Sequence, residues 1–325
     1  MDGESKKIIY KLLGVVCGVG IAFLLWKNYS DNQLSSIIGL SPSSSASPSK
    51  SAIPSPQSTP FTSSPTPAPS ASSALPIPKA HFEDTFSNAR TLQEVGSIGA
   101  SPDLHWWVSS GGWLRNENGV GETIQGSLSG GDRWQVAYNN ANPTDTDNGA
   151  HPQNIFRLVE RDEWGDSRQQ MYFRITMIQE SDSPNRNQSN GVWNFNRYHD
   201  ENNLYYSGIR VDGKAVIKKK IDGKYYTMAT QPLISNSVYN RDSNPTLLPL
   251  NVWIGLRSEI VTDSSGVVHI TVYTDIGHAG NWKKAVDAYD TGTMFGKGPF
   301  ENPGHAGIRT DFMDAQFDDY TITSL

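Results

Sequence analysis

The sequence predicts an all-β domain, a two-sheet antiparallel β-sandwich, preceded by one transmembrane helix and a disordered linker. From residue 80 to the end, short runs rich in Trp, Tyr, Val and Ile alternate with clusters of Gly, Asn, Asp and Ser. No convincing amphipathic helix interrupts these runs, and no repeat of fixed period is visible. So many strands without helices are typical of two sheets packed face to face.

Residues 8–27 predict a transmembrane signal-anchor that follows a cytoplasmic stub of residues 1–7. The run 8–26 is apolar apart from Lys11, and a helix of this length can just span a bilayer core of about 30 Å. Lys6, Lys7 and Lys11 precede the uncharged stretch and only Lys27 follows it closely, so we expect a cytoplasmic N-terminus. A cleaved signal peptide is the alternative, but no small-residue cleavage motif follows the run.

Residues 28–79 predict a disordered linker. Positions 41–78 contain 14 Ser and 10 Pro in 38 residues, a composition that cannot bury a core and that favours polyproline II. At ~3.1 Å per residue, a spacer of this kind reaches on the order of 100–150 Å. We therefore expect a single-pass protein of the cell membrane whose C-terminal domain, residues 80–325, lies outside the cell.

Charge and cysteine content narrow the function classes. Residues 1–79 hold six of the 27 basic and three of the 33 acidic residues, which leaves 21 against 30 and a net charge of −9 for residues 80–325. An acidic domain disfavours nucleic acid as a partner. The only cysteine, Cys17, lies in the predicted transmembrane segment, so the domain must rely on a hydrophobic core rather than on disulfides.

The stretch 190–230 predicts a four-stranded meander. Tight turns at Asp212-Gly213 and Asp222-Gly223 join its later strands, because glycine supplies the positive φ that two-residue hairpin turns require. The predicted strands are Gly191–Tyr198, Leu204–Val211, Lys214–Ile221 and Lys224–Thr230.

Further β-rich runs predict strands before and after the meander. They include Trp134–Tyr138, Gln169–Glu180, Val252–Thr262, Val267–Asp275 and Ala315–Thr323. Alternation splits the lysines at 218–220 between the two faces of a strand, and we interpret them as guards of a sheet edge.

Alternation along the strands separates an apolar face from a second face of Arg, Tyr, Trp, His and Glu. If the second faces belong to one sheet, they form a surface of aromatic rings and planar donors that suits sugars. The alternative is an ordinary solvated outer face. The candidate substrate-binding residues are Arg157, Tyr172, Arg174, Arg210, Trp253 and Arg257. The candidate catalytic residues are Tyr206, His269, Tyr273 and Glu259.

The domain resembles the concanavalin-A-like jelly-roll sandwiches. The resemblance is carried by the opening HFEDTFSN, the segment HWWVSSGGWLRNENGVGETIQG, the meander NLYYSGIRVDGKAVIKKKIDGKYYTMA and the terminal AGIRTDFMDAQFDDYTI. Within these sandwiches the chain is most similar to the laminin-G-like group and the 3-keto-disaccharide-hydrolase-like domains. The resemblance covers nearly all of residues 80–325 and implies a jelly roll with a sugar-binding concave sheet.

The same resemblance implies a structural Ca²⁺ ion that joins the first strand to the last. The matching ligands would be Glu83 and Asp84 near the start, with Asp318 and Asp319 in FDDY at the end. Hard oxygen ligands suit Ca²⁺. The alternative is that these carboxylates simply face water.

The favoured function is carbohydrate binding, with an extracellular polysaccharide or glycan as partner and the membrane contacted through the N-terminal helix. Catalysis is less favoured, since the E-x-D-x-x-E strand motif of retaining glucanases of this fold is missing. A polysaccharide lyase or a glycoside hydrolase stays open as an alternative, and so does a laminin-G-like module that binds proteins. A lyase would need an Arg to neutralise a substrate carboxylate and a Tyr or His as base.

Overall fold

The computed structural model describes residues 80–325, and within this range the chain forms sixteen β-strands, one α-helix and two short 3-10 helices. The first seven strands are β1 (His81–Asp84), β2 (Arg90–Gln93), β3 (Trp106–Ser110), β4 (Trp113–Glu117), β5 (Val120–Glu122), β6 (Arg157–Trp164) and β7 (Ser167–Ile178). The meander consists of β8 (Gly191–Asp200), β9 (Asn203–Arg210), β10 (Lys214–Ile221) and β11 (Lys224–Pro232). The last strands are β12 (Ile254–Thr262), β13 (Val268–Ile276), β14 (Lys283–Asp290), β15 (Gly304–Thr310) and β16 (Met313–Ser324). The helix α1 spans Arg133–Ala141, and the 3-10 helices span Ile98–Ala100 and Pro152–Ile155.

The strands pair in antiparallel fashion and build two sheets. The nine-stranded sheet has the order β14-β13-β12-β7-β16-β5-β4-β2, and β1 also pairs with β16. The seven-stranded sheet has the order β11-β10-β9-β8-β15-β6-β3. These two sheets confirm the predicted antiparallel sandwich, which is the architecture that the resemblance to concanavalin-A-like jelly rolls implied.

The first and last strands are neighbours, as the resemblance also implied. His81 lies opposite Thr323 and Asp84 lies opposite Tyr320, so the chain enters and leaves the sandwich at adjacent strands. The predicted stub 1–7, transmembrane segment 8–27 and linker 28–79 fall outside the described residues. Between residues 80 and 325, no helix is long and apolar enough to cross a lipid bilayer.

The main core fills the space between the two sheets. Alternation in β7 predicts one face of Met171, Phe173, Ile175 and Met177; the first three are fully buried in this core, whereas Met177 is exposed near the end of the strand. Ile217 and Ile308 are buried there from the opposite sheet. Full burial of one such side chain stabilises the folded state by about 1.5–3 kcal/mol.

A second apolar cluster covers the outer face of the seven-stranded sheet, and we call it the outer cluster. Its buried members are Val159, Trp193, Phe195, Tyr198, Leu204, Tyr206 and Val216. Ile98 and Trp107 pack against it. Because aromatic side chains are packed on this face as well as in the main core, it differs from the solvated outer face of an ordinary sandwich.

Both Asp-Gly turns of the meander are present. Asp222 and Gly223 have φ values of 49° and 78°, the left-handed conformation at both centres that a type I′ hairpin turn requires. At the other turn Gly213 is left-handed, with a φ of 74°. Strand β10 lies inside the sheet with β11 beyond it, so the interpretation of the lysines at 218–220 as edge guards is wrong.

The predicted strand Trp134–Tyr138 is wrong, because these residues belong to α1. The Asp132 side chain caps the helix by accepting hydrogen bonds from the N–H groups of Trp134 at 2.7 Å and Gln135 at 3.4 Å. The Tyr138 hydroxyl donates to Glu94 at 2.6 Å and fixes the helix to the sandwich. Capping and this tertiary contact therefore override the β propensity of Trp, Val and Tyr.

Candidate functional site

A cavity of about 560 Å³ opens on the outer face of the seven-stranded sheet, beside the outer cluster. Its sheet wall contains Arg157, Trp193, Tyr206, Lys218, Tyr225 and Arg309, each from a different strand. Its rim consists largely of amides and hydroxyls from loops, namely Asn142, Asn185, Asn187, Ser189 and Asn190. The cavity is thus lined by aromatic rings, cationic groups and uncharged polar side chains.

Strand register explains why these side chains meet. Arg309 of β15 lies directly opposite Trp193 on one side and Arg157 on the other. Since β15 pairs with β8 and β6, it brings residues more than a hundred positions apart in sequence into one row. Next in that row is Gly208, directly opposite Trp193.

Gly208 makes room for the indole ring of Trp193. A Cβ atom at this position would lie 2.8 Å from Trp193 Cε3 and 2.2 Å from the Val192 carbonyl oxygen. Both distances are shorter than van der Waals contact, so a larger residue would displace the strand or the ring. The glycine in YYSGIR is therefore required by close packing at the cavity wall.

Arg309 is the centre of the polar network. Its Nη1 donates to the hydroxyl oxygens of Tyr206 and Tyr225, each at 3.1 Å, and its Nε donates to Asp311 Oδ1 at 2.7 Å. The other oxygen of Asp311 accepts a hydrogen bond from Trp193 Nε1 at 3.1 Å. We call Trp193, Tyr206, Tyr225, Arg309 and Asp311 the Arg309 cluster.

The two tyrosines of the cluster differ in exposure and acidity. Tyr206 is 2% exposed, and burial raises its pKa even though Arg309 opposes the shift. Tyr225 is 50% exposed. Burial of its hydroxyl would raise the pKa, but the charges of Arg309 and Lys220 outweigh this effect and lower the pKa of Tyr225 to about 8.

Lys218 lies over the rings of this cluster. Its Nζ is 4.4 Å from the centroid of the Trp193 ring and 5.9 Å from that of Tyr225. Burial lowers the pKa of Lys218 to about 8; Arg210 and Arg309 add to this effect, whereas Asp311 and Tyr225 oppose it. Near neutral pH the lysine is therefore a cation that is poorly compensated.

The predicted site residues fall into two groups on opposite sides of the sandwich. Arg157, Tyr206 and Arg210 line the cavity. The others lie on or beside the outer face of the nine-stranded sheet, namely Tyr172, Arg174, Trp253, Arg257, Glu259, His269 and Tyr273. The ten residues do not form one surface, because alternation identifies the outward side chains but not the sheet to which they belong.

On the nine-stranded sheet the outward residues are engaged with one another. The guanidinium of Arg174 stacks on Trp253 at 4.7 Å, and that of Arg257 stacks on Trp282 at 4.1 Å. Glu259 accepts a hydrogen bond from Arg168 at 2.7 Å. These contacts are typical of a structured outer surface, where such pairs each contribute little to stability.

The four predicted calcium ligands have protein partners. Asp84 accepts hydrogen bonds from the Trp106 indole at 2.8 Å, from Arg90 at 2.9 Å and from the Phe86 N–H at 2.7 Å, and these donors compete with a metal ion. The Glu83 carboxylate lies 3.4 Å from His81 Nε2, and the Asp319 carboxylate lies 3.1 Å from His278 Nε2. Burial raises the pKa of Asp318. Calcium binding at these four residues stays a prediction.

A different group of potential metal ligands is closer together. Among residues 80–325, one ligand atom each from His105, Glu160 and Asp162 lies within 4.8 Å of the others. Glu160 already accepts hydrogen bonds from the Trp164 indole at 2.6 Å and from the Asp162 N–H at 3.1 Å. None of the predicted calcium ligands belongs to this group.

Sequence reasoning missed the residues that dominate the cavity: Trp193, Lys218, Tyr225, Arg309 and Asp311. The signal was present in part: alternation in AGIRTD places Arg309 opposite Ala306 and Ile308, whereas in GVWNFN it only puts Trp193 on the face of Phe195. What the sequence lacks is the pairing of β15 between β8 and β6, which joins the two segments.

Solved structures with similar folds were found at low sequence identity. The chain is similar to a carbohydrate-binding module from Bacillus subtilis, with a TM-score of 0.42 and 13% identity over 67% of this chain and 95% of that chain. It is also similar to a β-glucanase from Bacillus licheniformis, with a TM-score of 0.40 and 10% identity over 76% of this chain and 99% of that one. A lichenase from a mouse hindgut metagenome gives a TM-score of 0.39 and 9% identity over 76% of this chain and 99% of that chain. No protein-family model matches the chain, and no curated protein sequence matches it either.

Proposed function

We propose that the domain is a carbohydrate-binding module whose cavity on the seven-stranded sheet holds a segment of an extracellular glycan. The observation that carries the proposal is the lining of one open cavity by a half-exposed tyrosine, several cationic groups and a rim of amides. The apolar segment 8–27 and the Ser/Pro linker support display of this domain at the cell surface.

The chemistry of the cavity suits sugars. The ring of Tyr225 offers an exposed aromatic face for the C–H patches of a pyranose. The amides of Asn142, Asn185, Asn187 and Asn190 carry both donors and acceptors, which sugar hydroxyls can satisfy. A pocket with an aromatic surface and a few polar groups around it is the usual form of a ligand site.

A matched pair of tyrosines tests this proposal. Tyr225 on β11 and Tyr289 on β14 are 50% and 55% exposed, but only Tyr225 lines the cavity. Retention of the 325-residue chain on immobilised polysaccharides should fall roughly tenfold in Tyr225→Ala, because an aromatic platform is lost. Tyr289→Ala should bind like the unmodified protein.

The result that would overturn the proposal is equally specific. If no neutral or acidic polysaccharide retains the protein, or if both tyrosine variants bind like the parent, the cavity is not a glycan site. Capture of protein partners on the nine-stranded face would then favour the laminin-G-like adhesion function.

A polysaccharide lyase is the second candidate, and the Arg309 cluster favours it. The ionised phenolate of Tyr225, accessible because the pKa is lowered to about 8, would accept the proton from the carbon beside a uronate carboxylate. The electron pair would form a carbon–carbon double bond as the glycosidic C–O bond breaks, and the leaving oxygen would take a proton from the Tyr206 hydroxyl. Ultraviolet absorbance of the unsaturated product, lost in Tyr225→Phe, would place this activity above binding.

Hydrolysis has less support in this cavity. Its two lining carboxylates are Asp145 and Asp311. Asp311 is held by Arg309 and Trp193, and Asp145 accepts hydrogen bonds from Ser183 and Asn185. A glycosidase needs one carboxyl group to donate a proton and a second to act as base or nucleophile, and both groups here have structural partners.

A further inference from the structure

Lys218 is a cation at the cavity wall that forms no ion pair with a carboxylate of residues 80–325. Its Nζ contacts the ring faces of Trp193 and Tyr225, at 4.4 and 5.9 Å from their centroids. Among residues 80–325, no carboxylate oxygen lies within 4.0 Å of this ammonium group. Cation–π contacts compensate a charge less well than a carboxylate does, so a partly buried ammonium in this position favours an incoming anion.

The two carboxylates that line the cavity accept hydrogen bonds from groups other than Lys218. Asp311 accepts hydrogen bonds from Arg309 at 2.7 Å and from Trp193 at 3.1 Å. Asp145 accepts from Ser183 Oγ at 2.5 Å and from Asn185 Nδ2 at 3.0 Å. Neither carboxylate forms an ion pair with Lys218, so the positive charge of the lysine is left for a ligand.

The three arginines that line the cavity have carboxylate partners, which Lys218 lacks. Arg309 pairs with Asp311 at 2.7 Å, and Arg210 pairs with Asp212 at 2.8 Å. Arg157 lies 3.5 Å from Glu201. Four cationic side chains and two carboxylates line the cavity, although residues 80–325 carry nine more acidic than basic residues. Elsewhere on this acidic domain a polyanion would be repelled, which makes the cavity a local exception.

We propose that Lys218 and Arg309 form an anion subsite of the cavity, which binds a carboxylate or sulfate group carried by the sugar. This inference rests on the proposed function and narrows its ligand to acidic polysaccharides. Both cations contact the Tyr225 side chain, so an acidic group seated between them would belong to a sugar ring that lies on this tyrosine.

Binding through this subsite has a signature that simple charge attraction lacks. Burial lowers the pKa of Lys218 to about 8, and a bound anion would raise it again because it stabilises the ammonium form. Arg210 and Arg309 disfavour that charge, while Asp311 and Tyr225 favour it, and all four stay in place when the ligand binds. At pH 8 the protein should therefore take up protons as an acidic glycan binds.

Isothermal titration calorimetry of the 325-residue chain in a detergent-containing buffer tests the subsite. The ligands are galacturonate oligosaccharides and their methyl esters, together with a sulfated galactan without carboxylates and its desulfated form. We expect the acidic member of at least one pair to bind roughly tenfold more tightly than its neutral counterpart, as for a hydrogen bond to a charged group. If the acidic member binds more tightly in both pairs, the subsite accepts carboxylate and sulfate groups alike. If it does so in one pair only, the subsite is specific for the acidic group of that pair.

Substitutions of lysine identify the responsible residue. Lys218→Met should remove the preference for the acidic ligand, and the exposed Lys283 on β14 provides the control Lys283→Met, which should keep it.

Repeating the titration at pH 8 in two buffers of different ionisation enthalpy measures proton uptake. Uptake should occur in the parent and in Lys283→Met. Should Lys218→Met fail to fold, Lys218→Arg keeps the test: it should retain the preference but take up fewer protons at pH 8 than the parent, because only Tyr225 then contributes to the uptake.

Two outcomes would overturn the inference in distinguishable ways. Equal affinity for the acidic and neutral members of both pairs, or an unchanged preference in Lys218→Met, removes the anion subsite while glycan binding stands. Failure of all four ligands to bind a protein that another polysaccharide retains removes the subsite alone, whereas failure of the whole polysaccharide panel removes the proposed function and the subsite with it.

Discussion

The charge of individual residues in the cavity changes within a narrow pH range. Burial lowers the pKa of Lys218 to about 8, and the positive charges of Arg309 and Lys220 overcome burial and lower the pKa of Tyr225 to about 8 as well. Below this pH the lysine is charged and the phenol is neutral. Above it the lysine loses its charge and the tyrosine becomes an anion, so both titrations reduce the positive charge of the cavity.

Affinity for an acidic glycan should therefore decrease as the pH rises from 7 to 9. Loss of the Lys218 charge removes an attraction, and ionisation of Tyr225 adds a repulsion, so the expected change is roughly tenfold or more. Affinity measured against pH for a galacturonate oligosaccharide and for its methyl ester checks this. The ester should change little across the same range, and a parallel decrease for both ligands would contradict the electrostatic explanation.

At the scale of secondary structure, one side chain caps the first turn of α1. Asp132 accepts hydrogen bonds from two N–H groups of the first turn, which have no partner inside the helix. Asp132→Ala should lower the free energy of unfolding by about 0.5–2 kcal/mol, and Asp132→Asn should lower it less, because asparagine also caps helices. Denaturant unfolding followed by tryptophan fluorescence measures both values. Equal stability of the alanine and asparagine variants would show that the cap is unimportant.

The meander and the helix show how far local sequence determines an element. The meander was predicted because each Asp-Gly turn requires left-handed backbone that glycine adopts readily, and Asp222 and Gly223 have this conformation. The segment 133–141 was predicted wrongly, because the apolar residues Trp134, Val136 and Tyr138 alternate as in a strand. The capping signal of Asp132 outweighs that pattern in the structure.

The candidate site was predicted in part for a related reason. Arg157, Tyr206 and Arg210 were correctly assigned to outward faces, but their neighbours in the cavity depend on the order of strands in the sheet. That order places β15 between β8 and β6, across more than a hundred residues of sequence. Such pairings arise from the packing of the whole sandwich, and no local pattern records them.

At the scale of the whole molecule, a buried ion pair joins the two sheets. Lys219 on β10 and Asp290 on β14 are both completely buried, with their charged atoms 2.8 Å apart. Asp290 also accepts a hydrogen bond from the Tyr205 hydroxyl at 2.7 Å. Lys219 donates to the carbonyl oxygens of Lys297 and Gly298 at 2.7 Å, which ties the loop before β15 to the interior.

Removing one member of this pair should destabilise the domain strongly. Lys219→Met leaves Asp290 as an uncompensated buried charge, so we expect a loss of about 3–5 kcal/mol in the free energy of unfolding. Thermal and denaturant unfolding measure the effect, with Lys283→Met at an exposed position as the control. The double variant Lys219→Met/Asp290→Asn should recover part of the loss. A single variant as stable as the control would contradict the role of the pair.

The outer cluster fixes the sheet wall of the cavity, so the rim of the cavity can change without loss of the fold. Trp193 and Tyr206 are each 2% exposed, so their rotamers are fixed when the domain folds and a ligand does not have to immobilise them. The asparagines of the rim lie on loops and support no strand pairing. The wall thus supplies a preorganised platform, and the rim is a part that evolution or engineering can vary to select among sugars while the scaffold stays the same.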